Sequence, residues 1–197
     1  MSVLIDGVNH SVKKIILHPG YERGFTHNDI ALVQLNAPVT RTTPLRIYTV
    51  TGELGLPCTF VGYGWCFPIG FDFKPELVPE NEGPNIRRAG TNQVSRVTDE
   101  TIHTTADLPG SVTKLLYHTG GGDSGGPLII EIDGTPYVAG IVTGSSSDDP
   151  AESDYSRVTA YSRWIEDSTG EPFGVSRPER VWAWSGFLIG LLSVAGI

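Results

Sequence analysis

The 197 residues are enough for one ordinary domain, or for a compact strand-rich domain with a tail. The 22 acidic against 14 basic residues give a net charge of −8 with no Lys/Arg block, which argues against nucleic acid as a partner. A hydrophobic fraction of 39% suffices for a core, while 24 glycines and 14 prolines with few long apolar periodicities predict many short strands joined by turns. Cys58 and Cys66 show neither metal-ligand nor redox spacing; pairing across a short loop and two free thiols both fit. No cofactor motif is present. The opening MSVLIDGVNH has neither the basic nor the apolar region of a secretory leader.

In chain order, residues 12–17 form a short apolar run ended by the turn signal His18-Pro19-Gly20. Residues 30–35 (IALVQL) are apolar at nearly every position, as a fully buried strand requires. Asp29, just before them, is an acidic group at the mouth of a buried strand, so it is either a turn aspartate or a functional one. Residues 36–57, with Pro38, Pro44 and Pro57, read as a surface connection, and 57–65 (PCTFVGYGW) as a strand and turn. Residues 66–85 read as a long proline-rich loop, and 88–97 alternate as a strand. His103 falls in a stretch that reads as a polar loop.

Residues 115–118 lead into a glycine-rich stretch, 120–130. Strands are predicted at 128–132 and 137–142 around the hairpin signal Asp133-Gly134. Residues 143–154 are polar; 155–158 read as a strand and 160–168 as a helix, with Thr159 and Ser162 as candidate caps and Trp164 and Ile165 on its buried face. A polar spacer, 171–180, precedes 17 uncharged residues at 181–197, just short of a comfortable bilayer span. That end reads as a membrane-seeking, lipid-anchor or processed tail.

The stretch Gly122-Asp123-Ser124-Gly125-Gly126-Pro127 makes a poor strand and a poor helix, and so predicts a tight, backbone-driven turn. Acyl transfer needs such a turn: a hydroxyl must project into open space while neighbouring N–H groups aim at the oxyanion formed on attack. GDSGGP resembles the nucleophile signature of trypsin-like serine peptidases. IILHPGY followed by NDIALVQL resembles the family segment that carries the catalytic aspartate. PCTFVGYGW resembles the strand and turn opening the second barrel, and YSRV the closing strand.

The resemblance covers about residues 11–170 and implies an all-β fold of two six-stranded antiparallel barrels, the first incomplete, with a short C-terminal helix and a hydrophobic tail. The peptidase domain is expected at 1–170, with its second barrel at about 55–160. The implied activity is serine-type endopeptidase, working through an acyl-enzyme on Ser124, with the N–H groups of Gly122 and Ser124 as oxyanion hole and Asp29 orienting a histidine. His118 would stand at the floor of the specificity pocket, with Thr119, Thr143, Ser145 and Ser153 around it. That polar, uncharged lining suits an acidic side chain. Gly120 stands where the family usually has a cysteine, and Cys58 resembles a half-cystine of the family.

The family's general-base histidine lies about 45 residues before the aspartate, and only 28 residues precede Asp29. None of His10, His18, His27, His103 and His118 has the family context, so the chain is expected to be inactive alone. The alternatives are a non-catalytic homologue that binds a peptide or protein, or an interaction domain tethered to a membrane through 181–197. Family resemblance implies a secreted or cell-surface location. No cofactor or metal is implied, and a polypeptide is the expected partner.

Overall fold

The computed structural model describes residues 1–23, 26–64, 86–106, 118–145 and 152–170, together with the backbone of Phe187–Gly190. The chain opens with β1 (Ser2–Ile5) and β2 (Val8–Leu17), an antiparallel hairpin. Asp6 and Gly7 turn it with φ of 49° and 73°, the left-handed pair that a two-residue hairpin loop demands. This hairpin was not expected, although Asp-Gly is a hairpin signal; residues 1–10 carry too little apolar alternation to mark the strands. β3 (Ala31–Leu35) pairs antiparallel with β2 and is buried at four of its five positions.

Six further strands close a barrel. After the short β4 (Arg46–Ile47) come β5 (Pro57–Gly62), β6 (Arg88–Val97), β7 (Thr101–Thr105), β8 (Pro127–Ile132), β9 (Thr135–Ser145) and β10 (Glu152–Arg157). The antiparallel order runs β10, β7, β6, β5, β8, β9, and β9 pairs again with β10, so no edge is left open. β4 lies outside the circle, parallel to β9. Alternate residues point inward: Cys58 on β5, Val94 on β6, Ile102 on β7, Leu128 and Ile130 on β8, and Tyr155 on β10 fill one core. Gly140 on β9 gives Tyr155 its place, since a Cβ there would stand 2.9 Å from the tyrosine Cβ.

After β10 a 3-10 turn (Val158–Tyr161) leads into α1 (Ser162–Thr169), which Gly170 ends in the left-handed conformation. Neither expected cap acts as one: no side chain caps α1, Ser162 is its first residue, and the Thr159 hydroxyl goes to Glu53 instead. Ile165 is fully buried, as expected for its face. A second core joins the barrel to the first sheet, with Ile30 and Leu32 packing on Ile141, Val158, Tyr161 and Ile165. His18 reinforces this joint edge-to-face against Tyr161 and Trp164, at centroid distances of 5.3 and 5.0 Å. Last, β11 (Phe187–Gly190) pairs antiparallel with the free edge of β3, giving an open four-stranded sheet in the order β1, β2, β3, β11. The expected all-β architecture is thus present, with one closed six-stranded barrel and one unclosed partner.

The reading of His103 as a loop residue is overturned. Thr101–Thr105 forms β7, because β-branched threonines with a single isoleucine make a strand whose inward positions, Ile102 and Thr104, are fully buried. The ends of β9 and β10 likewise extend into the polar stretch read at 143–154. Cys58 is a free, buried thiol, which burial pushes up to about pKa 12. Cys66, the loop at 66–85 and most of the run at 115–118 lie outside the described residues.

Candidate active site

The glycine-rich turn is built by hydrogen bonds from both sides. The Asp123 N–H donates to the Gly120 carbonyl at 3.1 Å and the Gly126 N–H to the Asp123 carbonyl at 2.9 Å, so two tight turns flank Ser124. Gly122 and Gly125 carry φ of 97° and 86°, values that disfavour any side chain. The turn is then tied to the barrel wall: the Gly125 N–H donates to the Val142 carbonyl and the Val142 N–H to the Gly126 carbonyl, both at 2.9 Å. Ser124 is half-buried at this bend. Among the described residues, neither its N–H nor that of Gly122 has an acceptor.

Asp123 anchors the turn from beneath. Its carboxylate is buried and accepts from the Gly64 N–H at 2.8 Å and from the Gly120 N–H at 2.9 Å, two charge-assisted bonds that offset its desolvation. Glycine makes the approach possible. A Cβ on Gly62 would stand 1.9 Å from Asp123 Oδ1, and one on Gly64 2.5 Å from Asp123 Cγ. The role of the GYG turn at 62–64 is therefore to let the backbone reach this carboxylate.

Asp29 stands just before β3 of the first sheet. Asn28 takes φ of 54° at the entry to β3, its side-chain amide donates to the Gly20 carbonyl at 3.1 Å, and the Ser156 hydroxyl donates to the Asp29 carbonyl at 2.9 Å. The Asp29 carboxyl is half-buried and has no hydrogen-bond partner among the described residues. Desolvation alone raises it to about pKa 6. Ser156 lies opposite Ile141 in the barrel ladder, and the next residue, Val142, holds Gly125. Asp29 is thus bonded through its carbonyl to Ser156 of β10, and Gly125, next to Ser124, to Val142 of β9.

The residues expected around a specificity pocket come from β9, β10 and the segment just before the glycine turn. Thr119 and Ser153 are buried together, the Thr119 N–H donating to Ser153 Oγ at 3.0 Å, and Ser153 lies opposite Ser145. The Thr143 hydroxyl is taken by the Asp154 carbonyl at 3.2 Å. His118, half-buried, directly precedes Thr119. Of the other histidines, His18 accepts from the Gly20 N–H, His27 meets the exposed Glu100, and His103 meets Asp154. That last contact joins residues 51 apart on neighbouring strands, and no motif in the sequence marks it.

A closed antiparallel barrel joined to a second, open sheet is consistent with the trypsin fold. The trypsin family model matches residues 5–165. Serine protease 56 of Mus musculus is 31% identical over 182 residues, covering 82% of this chain and 28% of that protein. A trypsin of Phaedon cochleariae is 31% identical over 170 residues, 83% of this chain and 63% of that protein. Transmembrane protease serine 11C of Mus musculus is 30% identical over 175 residues, 81% of this chain and 38% of that protein. The chain belongs to the trypsin family. It spans between 28% and 63% of the length of these relatives.

Proposed function

We propose that this chain carries serine-endopeptidase chemistry in which Ser124 attacks a substrate carbonyl and becomes acylated. The N–H groups of Gly122 and Ser124 hold the oxyanion, and Asp29 orients a general-base imidazole and stabilises its cationic form. The observation that carries this reading is the bend at Ser124, with two N–H groups that have no acceptor among the described residues, on a turn locked by Asp123 and tethered to Val142. His118, Thr119, Thr143, Ser145 and Ser153 would receive the substrate side chain, and an imidazole with hydroxyls around it favours an acidic one. The substrate is a polypeptide, met outside the cell or at its surface.

One observation favours a second reading, a homologue that binds peptides without cleaving them. His18, His27 and His103 are engaged with the Gly20 N–H, Glu100 and Asp154, not with Asp29 or Ser124. Without an imidazole to take its proton a serine hydroxyl is a weak nucleophile, so the 197-residue polypeptide alone is expected to turn over negligibly. The test is labelling by a fluorophosphonate probe, read by mass spectrometry with and without added imidazole. Slow labelling at Ser124 that imidazole accelerates and Ser124→Ala abolishes supports the peptidase reading. No labelling under either condition, with measurable affinity for acidic peptides, supports the binding module. Labelling that survives Ser124→Ala sinks the assignment of the nucleophile.

A further inference from the structure

Away from this cleft, β6, β7 and β10 bring four polar side chains to one spot. His103 stands opposite Asp154 in one ladder and opposite Arg96 in the other, and Glu152 lies two residues before Asp154, on the same side of β10. His103 Nδ1 is 2.7 Å from Asp154 Oδ1 and 3.3 Å from Glu152 Oε1. One ligating atom from each of the three can be chosen so that all lie within 4.8 Å of one another. The spot is enclosed: the His103 side chain is 8% exposed and each carboxylate side chain 13%.

One imidazole nitrogen and two carboxylate oxygens therefore gather at a common place, a donor set suited to a borderline divalent metal with a fourth position left for water. A cation is already drawn there. Arg96 Nη2 lies 2.6 Å from Glu152 Oε1 and 3.0 Å from His103 Nδ1. The two short contacts at Nδ1 are chemically at odds, because one ring nitrogen cannot both donate to Asp154 and accept from Arg96. A metal ion resolves the conflict by accepting the nitrogen lone pair and the carboxylates together. The distance from Nδ1 to Glu152 is close to the edge of roughly 3.4 Å that bonds of about 2.1 Å give a tetrahedral site, while the 2.7 Å from Nδ1 to Asp154 has to open as an ion enters. Arg96, with 51% of its side chain exposed, can turn out to solvent. His103 Nε2 is buried without a partner, and a metal on Nδ1 adds no further unpartnered atom.

We propose that His103, Glu152 and Asp154 form a binding site for a divalent transition metal of the Zn2+ type, with Arg96 as the cation that competes for it. The site also touches the pocket wall: Ser153, between the two carboxylates, accepts the Thr119 N–H, so a bound ion would stiffen that wall. This inference is independent of whether Ser124 is reactive.

The test uses the full 197-residue chain, stripped with chelator and titrated with Zn2+ in a calorimeter, with the Co2+ absorption spectrum as a second readout of the ligands. One equivalent should bind, with His103→Gln and Asp154→Asn each weakening affinity at least tenfold. Arg96→Gln should tighten it several-fold, a gain that a misfolded variant cannot imitate. The proposal is overturned by the absence of saturable one-equivalent binding, by affinity indifferent to His103→Gln, or by weaker binding in Arg96→Gln.

Discussion

Asp29 is held by its backbone, not by its carboxylate. The Ser156 hydroxyl takes its carbonyl while the acid group, half-buried and without a described partner, is raised to about pKa 6. The sign of the consequence follows. Between about pH 4 and pH 6 the folded chain keeps a proton that the unfolded chain has released, so stability falls as pH rises through that window, and the penalty is complete above it. Asp29→Asn removes this contribution. Denaturant midpoints at pH 4.5 and pH 7.5 should show the variant gaining on the parent chain by clearly more at the higher pH. Asp29 could be picked out in the sequence because an acid beside IALVQL is conspicuous, and the family resemblance suggested its role. The cradle of Asp123 was not legible. Its donor Gly64 is 59 residues away, and only the folded chain shows that the glycines at 62 and 64 make room for a carboxylate.

Among the elements, β10 ties together distant parts of the chain. The Ser153 hydroxyl accepts from the Thr119 N–H, the Ser156 hydroxyl donates to the Asp29 carbonyl, and Arg157, its last residue, crosses to Glu53. Arg157 Nε and Nη2 donate to the two Glu53 oxygens at 2.8 and 3.0 Å, and the Thr159 hydroxyl adds a third bond. Glu53 is 1% exposed; burial alone would raise its pKa, but the hydrogen bonds and charge of Arg157, with backbone donors, bring it below the ordinary value. Arg157→Met strands a buried carboxylate and should cost about 3–5 kcal/mol in equilibrium unfolding. The parent chain's excess stability should shrink as pH falls and Glu53 is protonated. Polar strands such as β7 and β10 are hard to read because their inward positions include threonine, serine and tyrosine. Their burial is decided by partners across the barrel, whereas β3 and β8 announce themselves by hydrocarbon alone.

For the molecule as a whole, the four-stranded sheet is the open half. Its outer strands are β1 and β11, and β11 comes from the uncharged segment at 181–197 that read as a membrane-seeking tail. Among the described residues no helix is long and apolar enough to cross a membrane. Ending the chain at residue 180 should leave the barrel intact and strip hydrogen-exchange protection from the β3 amides that face β11. Unchanged protection would show that this edge is not covered in solution. The overall plan was legible because three motifs occur in the family's order. The destination of the last residues was not, since a short apolar run serves a strand as well as a membrane.

Barrel closure also has a direction in time. The seam is sealed only when β10 bonds β7 on one side and β9 on the other, and it is the last of the six strands to leave the ribosome. A nascent chain not yet extended past Arg157 therefore carries an unsealed cylinder with two bare edges, the form most exposed to sticking and to chaperone capture. Ser156 arrives with that same strand, so Asp29, made 127 residues earlier, waits for it before its surroundings exist.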